Sequence, residues 1–565
     1  MLKVRLLRED KLLVNVIEKK ADIVVVGGGL AGCMAAIRAR DFNADVVIVE
    51  KANTKRSGAA ATGVDHLISF IPGIHDKECT IDDVVEDHYN YNDKMIDRSL
   101  AKMVFSNSYE RLLDLERYGI PTKDEKGEYR LIKKEHRVPT YVHFAGRDMK
   151  VNLTREAVRK GVRIDNRIMV TDLLLESDRV AGVVGLGIRD GAIYVYRAKS
   201  VIIVSGSTNK LYKNMSGLPH NITHPPSDTG DGTAMAYRAG AKLINMEFVF
   251  HHTGPMFFHR AGRGSYVPGR LIDGLLEPLT KEVISDSKTL NMVQENGMKF
   301  REVLSKGLGP IYMDITGNSK EQNDYIRWAL SNEGNTSWLN YLAEEGKSFD
   351  KDLIEFTEYE GKQNSGLSGI EIDDNCRTSI KGLYSGGDCT GAGKRLAAMG
   401  ALAMGYVCGE NAAQFSRDVF MEELGEQASD ILEQRIEIAR NFIERDCGSE
   451  WTEALLAMQN IMGYYAGPLK SETMLQKGLS HLTKLKERVL NNVRAGTPHE
   501  LFRAMEVLNL IDIGTVLVSA SLLRKETRGA GFRRADYPET DDTNWRQLLV
   551  VQLKDNKIVA STRQV

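Results

Sequence analysis

The chain is 565 residues long, 42% hydrophobic and 27% charged, with a net charge of −2; this is a globular composition, too long for one ordinary core, and two to four structural units are expected. So even a balance gives no electrostatic case for nucleic acid or an anionic membrane as partner, and short basic clusters such as Lys133-Lys134 read as solvated faces. No stretch approaches the ~18 uninterrupted apolar residues of a membrane helix. The N-terminal segment MLKVRLLREDKLLVNVIEKK scatters charges through its apolar positions and has no signal-type core, so no membrane insertion and a cytoplasmic location are expected.

The first predicted element is the β-branched run 22–26 (DIVVV), a strand buried on both faces. It leads into Gly27-Gly28-Gly29-Leu30-Ala31-Gly32 and a helical pattern through Cys33–Arg40. A second buried strand, Val46–Val49, ends at Glu50. This is the dinucleotide fingerprint G-x-G-x-x-G on Gly27, Gly29 and Gly32. Gly27 permits the tight turn, Gly29 lets a diphosphate approach the backbone, and Gly32 lets the helix pack closely on the strand. The helix N-terminus offers unpaired N–H groups and a positive dipole end, and Glu50 can accept from ribose hydroxyls.

Further along, 141–162 reads as strand then helix, and 180–186 and 193–196 as paired strands. Ala198–Val204 closes on Ser205-Gly206-Ser207, which suggests a second approach to the same dinucleotide. Residues 382–388 (GLYSGGD) place Gly387 and Asp388 at the end of another strand, ahead of the small-residue helix Ala397–Ala413. An aspartate there can hold a ribityl hydroxyl, and the helix N-terminus can face the diphosphate or the polar edge of a flavin. Beyond about 420 the pattern is helical, over Val419–Arg445, Ser471–Val493 and Pro498–Arg524. A strand pair follows around Leu548–Leu553 and Lys557–Ala560. The six cysteines (Cys33, Cys79, Cys376, Cys389, Cys408, Cys447) are widely spaced with no C-x-x-C pair, so the four-thiolate run of an iron–sulfur cluster is not present.

Taken in order, the pieces GGGLAG (27–32), RSGAAATG (56–63), DTGDGTAMAYRAGA (228–241), MEFVFHHTG (246–254), GPIYMDI (309–315), SGIEID (368–373), GLYSGGD (382–388) and TRGAGFRRADYPETDDTNW (527–545) resemble the fumarate reductase/succinate dehydrogenase/L-aspartate oxidase flavoprotein superfamily, which also includes the adenylylsulfate reductase alpha subunit. The resemblance spans nearly the whole chain. It implies an α/β fold: a Rossmann-like FAD-binding domain (1–245 and 351–420) split by an α+β capping domain (246–350), then a helical domain (421–525) and a small C-terminal segment (526–565). The cofactor-binding set it implies is Gly27, Gly29, Leu30, Ala31, Gly32, Glu50, Lys51, Arg56, Ser57, Gly58, Ser205, Gly206, Asp231, Gly387, Asp388 and Leu402.

Quinone-linked members of this superfamily attach the flavin to a histidine in the loop that matches Arg56–Ala60. No histidine stands within 51–65, the first being His66, so FAD is expected to be non-covalent. His251 matches the histidine of the family's H-P-T-G motif, with His252 replacing the proline, and Arg395 matches the arginine that grips a substrate carboxylate, a task suited to a planar guanidinium. Asn364 stands where the second substrate histidine is expected, and Lys281 corresponds to the proton-delivering arginine; a lysine can donate a proton when desolvation lowers its pKa. These departures, and Gly531 in place of a common histidine, argue against ordinary fumarate reduction.

The histidines His251, His252, His259, His220 and His224 do not read as a metal site, because neighbours on a strand point to opposite faces. Arg263 and Arg270 read as a solvated loop. The expected activity is two-electron transfer between flavin and a small anionic substrate, with a small ferredoxin-like iron–sulfur protein as electron partner and an oligomeric assembly. Alternatives are an L-aspartate oxidase-like flavoenzyme without such a partner, and a non-redox lyase or hydratase that keeps flavin as a scaffold.

Overall fold

The computed structural model describes residues 15–133, 136–213, 224–250, 253–256, 270–279, 302–334, 336–348, 351–358, 366–394, 396–529 and 531–565. Among these, the central sheet orders its strands Arg163–Asn166, Val46–Glu50, Val16–Val26, Ile193–Ile203, Arg179–Gly187 and Ile168–Glu176, with Leu383–Ser385 also on Ile193–Ile203. The first four run parallel and the last two form an antiparallel hairpin. Parallel strands need cover on both faces, and Val46–Glu50 is buried throughout.

Two stretches that read from sequence as separate strands, 193–196 and 198–204, are one. Ile193–Ile203 runs its whole length along Val16–Val26, while its other edge pairs first with the 179–187 hairpin arm and then with Leu383–Ser385. The helix Leu30–Asp41 packs against Ala397–Asp418. That second helix is rich in small residues because a Cβ on Gly405 or Gly409 would lie 2.4 or 2.2 Å from the backbone oxygens of Ala31 and Ala35.

A small sheet of Thr253–Pro255, Ile354–Glu358, Ile311–Asp314 and Arg270–Ile272 carries its own core, with Ile311, Met313, Ile326, Leu330 and Trp338 buried between it and the helices Lys320–Asn332 and Thr336–Glu344. The strand Ile354–Glu358 belongs to this cap, so the edge expected at 350 is corrected C-terminally: pairing with both Thr253–Pro255 and Ile311–Asp314 holds it there. Four helices follow, Glu426–Glu444, Trp451–Tyr465, Glu472–Asn492 and Pro498–Leu523. The second has no counterpart in the sequence reading.

Pro498–Leu523 begins with Thr497 accepting from the Glu500 N–H and with Pro498 in its first turn, a strong start signal. It is the one helix among the described residues long and apolar enough to cross a membrane by length and composition, and 78% of its most apolar window is buried inside the protein. Its few polar groups find partners. Asp512 takes Arg238 at 2.8 Å and Lys486 at 2.6 Å, and Arg238 also meets Asp172, which Arg435 reaches at 2.9 Å. That network fastens the helical layer to the sheet. The C-terminal hairpin Gln547–Lys554 and Lys557–Gln564 extends a second sheet through Leu243–Ile244 to Gly369–Ile370.

Candidate active site

A long cleft opens at the C-terminal ends of the parallel strands, where open α/β sheets bind ligands. Gly27 sits at φ +106°, and a Cβ there would meet the Val204 oxygen at 2.6 Å; on Gly32 it would lie 2.0 Å from the Gly27 oxygen. Both are therefore glycines by necessity. A Cβ on Gly29 would meet nothing within 4 Å, because that residue faces the cleft. The helix Leu30–Asp41 starts with no side-chain cap, so its first N–H groups are available to a bound anion. From the opposite wall, Ala397, Ala398, Gly400, Ala401 and Met404 turn the first turns of Ala397–Asp418 into the same space. That helix also lacks a side-chain cap.

At one side, Glu50 is pinned by two backbone donors: Gly28 N–H to Oε2 and Ala52 N–H to Oε1, each at 2.6 Å. Beside it the buried Lys51 ammonium donates to Asp231 at 2.6 Å, Thr229 at 2.8 Å and Glu506 at 2.9 Å. Burial works against the Lys51 charge, but the two carboxylates outweigh it and hold its pKa above the ordinary lysine value. The Glu506 carboxyl is pushed up by burial yet held below the usual carboxylate range by Lys51 and Arg503. Lys51 and Asp231 thus line the cleft chiefly as partners of one another.

On the floor, the Ser205 Oγ is buried with no hydrogen-bond partner among the described residues, a group that asks for a ligand. Across from it Asp388 lies 3.8 Å from the His224 Nδ1, which is itself 2.8 Å from the Ser207 hydroxyl.

Of the residues expected from sequence, Gly27, Gly29, Leu30, Ala31, Glu50, Lys51, Gly58, Ser205, Gly206, Asp231, Gly387 and Asp388 line this one cleft. Four do not. Gly32 packs behind the turn, and the Ser57 hydroxyl donates to the Gly28 oxygen at 3.1 Å, bracing the loop from outside. Arg56 reaches the Ala61 and Arg147 oxygens and Asp148. Leu402 points into the core with 0% exposure. His251, Lys281, Asn364 and Arg395 lie outside the described residues; Phe250, Gly366 and Lys394, chain neighbours of three of them, line the cleft. Of the histidines weighed against a metal reading, His224 is described and the other four are not.

Sequence reasoning passes over His66, His224, Asp228, Lys394 and the small residues of Ala397–Ala401 as cleft residues. The alternating small residues of that helix are a usable signal. For the two histidines, which arrive from separate segments, the sequence carries none.

The glycine cradle, two uncapped helix ends, the pinned acid and the orphaned serine hydroxyl fit a dinucleotide with a central diphosphate. Residues 22–274 match the FAD binding domain family, and 456–565 match the fumarate reductase flavoprotein C-terminal family. A flavoprotein-family chain of the fumarate reductase (CoM/CoB) from Methanothermobacter marburgensis is 24% identical over 95% of this chain and 97% of its own length. An L-aspartate oxidase from Streptomyces coelicolor is 26% identical over 96% and 93%. The adenylylsulfate reductase structure from Archaeoglobus fulgidus superimposes with a TM-score of 0.84 at 22% identity, covering 100% of this chain and 99% of that one. The chain is accordingly an FAD-dependent oxidoreductase of the fumarate reductase/succinate dehydrogenase flavoprotein superfamily.

Proposed function

We propose that this chain is the flavin-bearing catalytic component of a two-electron oxidoreductase that acts on a small anionic substrate and exchanges electrons with a separate iron–sulfur protein. The observation that carries the reading is the continuity of the cleft. It joins the dinucleotide cradle at Gly27–Ala31 to a wall built from Phe250, Gly366 and Lys394, near neighbours in the chain of His251, Asn364 and Arg395. FAD, when bound, supplies the hydride chemistry.

The residues supply the rest. Arg395 binds both oxygens of a carboxylate, Asn364 adds a neutral donor where a charged one would bind a dicarboxylate more tightly, and Lys281 holds the exchangeable proton. Non-covalent FAD follows from the loop 56–60, which carries no histidine to link the flavin; acid precipitation should release all the flavin into the supernatant. The electron partner is inferred from the cysteines, five of which are buried singly in the chain's own structure while Cys447 is exposed, and from the M. marburgensis relative, which is named as one of the subunits of its enzyme. The S. coelicolor relative supports a second reading, in which no iron–sulfur partner is needed and oxygen or fumarate takes the electrons.

The test is anaerobic. The flavin of the purified protein is reduced photochemically, fumarate is added, and the oxidised-flavin absorbance is followed. Rapid return supports dicarboxylate reduction with Lys281 and Asn364 in place. No return, together with reoxidation by a ferredoxin-type acceptor, keeps the electron-transfer role and discards the dicarboxylate. A flavin that neither acceptor nor substrate reoxidises would refute the redox reading and favour flavin as a scaffold.

A further inference from the structure

Where the cap meets the cleft, three buried ionisable residues converge from two parts of the fold. Asp65 and His66 open the strand His66–Ile68, and the Nδ1 of His66 lies 2.7 Å from Asp65 Oδ1. Glu333 ends the cap helix Lys320–Asn332. One side-chain atom of each of the three lies within 4.8 Å of the others, and exposures are 3% for Asp65, 7% for His66 and 2% for Glu333. His66 also lines the same cleft as the dinucleotide cradle. The pairing fixes the imidazole's chemistry. A carboxylate only accepts, so Nδ1 carries a hydrogen and donates it to Asp65, and proton exchange runs through Nε2.

The approach of Glu333 is enforced by the backbone. The Thr62 hydroxyl donates to the Glu333 carbonyl at 2.6 Å, and Gly63, at φ +140°, comes so close to the helix end that a Cβ there would lie 1.9 Å from the Asn332 oxygen. Loop 56–63 and the cap helix therefore dock as one contact, with the carboxylate of one delivered to the imidazole beside the other. Around His66 stand His143 and Tyr141 on the neighbouring strand, ring centroids at 5.4 and 5.3 Å, and the Tyr325 hydroxyl at 3.0 Å from His143 Nδ1.

We propose that His66, oriented by Asp65 and joined by Glu333 when the cap is docked, is the proton-exchanging residue of the flavin cleft. The proposal rests on the reading that this cleft performs two-electron chemistry. Saturating a C=C bond adds a hydride to one carbon and a proton to the other. The hydride is the cofactor's; the proton leaves Nε2 of the His66 imidazolium, which becomes neutral and is reprotonated from water. An Asp–His pair is suited to this because the carboxylate stabilises the charged ring and fixes its tautomer.

The experiment needs no substrate. The midpoint potential of the FAD-loaded protein is measured anaerobically between about pH 5 and 8. In the wild type the imidazole titrates with the flavin's redox state, so the potential-against-pH curve carries a bend worth one proton per two electrons beyond that of flavin itself. His66→Gln removes that bend. Asp65→Asn, which keeps the ring, moves it to lower pH. Should His66→Gln fail to retain FAD, Asp65→Asn decides alone. Superimposable wild-type and variant curves would overturn the proposal, as would a stoichiometric divalent metal in the purified protein that is lost in both Asp65→Asn and Glu333→Gln. A bend that persists while fumarate fails to reoxidise the flavin would remove the dicarboxylate reading and leave His66 in its role.

Discussion

The Lys51 ammonium shows how a residue that reads as a ligand can be held for another purpose. It sits just past the strand carrying Glu50, where a cation beside a nucleotide is a natural expectation, yet its hydrogen bonds go to Asp231, Thr229 and Glu506. Removing the charge strands two buried carboxylates, and breaking a buried pair in this way costs about 3–5 kcal/mol. Lys51→Met should therefore lower unfolding stability by that order at neutral pH. Glu506 fixes the sign with pH. Its folded-state pKa is depressed, so the stability it contributes is present above the ordinary carboxylate range and lost as pH falls through the folded value. The deficit of Lys51→Met against wild type should shrink on acidification, and urea unfolding at neutral and acid pH measures it. Gly32 makes a simpler case. A Cβ 2.0 Å from the Gly27 oxygen forces helix and turn apart, an overpacking cost of about 1–3 kcal/mol. Gly32→Ala should bind FAD roughly tenfold more weakly, about 1.4 kcal/mol, as read from flavin absorbance per protein after dialysis. Full retention of flavin would show that the turn relaxes without loss.

At the level of elements, legibility follows the range of the interactions. The turn from Val26 into Leu30 can be read because its determinants are consecutive: β-branched strand, glycines, helix. So can the helix Pro498–Leu523, with its start signal and long apolar run. The helix Trp451–Tyr465 escapes a reading from sequence because only Ala454, Met458 and Met462 are buried along it, a thin stripe in a segment that otherwise looks polar and aromatic. Ile193–Ile203 reads as two strands because different neighbours share its edge. Within the site, the glycine cradle is legible and His66 is not, since its importance comes from a helix end more than 260 residues downstream. That contact makes a prediction of its own. Gly63→Ala places a Cβ against the Asn332 oxygen at a φ that side chains rarely adopt. The cap helix Lys320–Asn332 should then lift from the loop, and its amides should exchange faster while those of Val16–Val26 keep their protection. Uniform acceleration in both would mean that cap and sheet open as one unit.

Across the whole molecule, Arg524 ties together parts that no local rule connects. It ends the helix Pro498–Leu523 with its side chain fully buried, donating to Glu247 at 2.6 Å, to Glu526 at 2.7 Å, and to the Trp545 and Gln547 carbonyls at 2.9 and 3.0 Å. Glu247 stands three residues past the strand Leu243–Ile244, where the chain leaves toward the cap, and Gln547 opens the C-terminal hairpin paired with that same strand. One guanidinium therefore joins the helical layer, the C-terminal segment and the root of the cap. Its planar fork can satisfy all four acceptors at once, which a lysine could not. Arg524→Met leaves Glu247 and Glu526 in an interior without their cation, a loss on the order of 3–5 kcal/mol. Here the pH sign is opposite to that of Glu506. Burial already pushes the Glu247 carboxyl above its ordinary value, with Arg524 opposing. A group raised in the folded state contributes stability below its unfolded pKa and loses it as pH climbs through the folded one. Without Arg524 the rise is larger, so Arg524→Met should be least destabilised in acid and fall further behind wild type toward neutral pH. Urea unfolding of both proteins at the two pH values separates the cases, since a deficit that does not change with pH would mean that Glu247 stays ionised and takes its compensation from elsewhere in the fold.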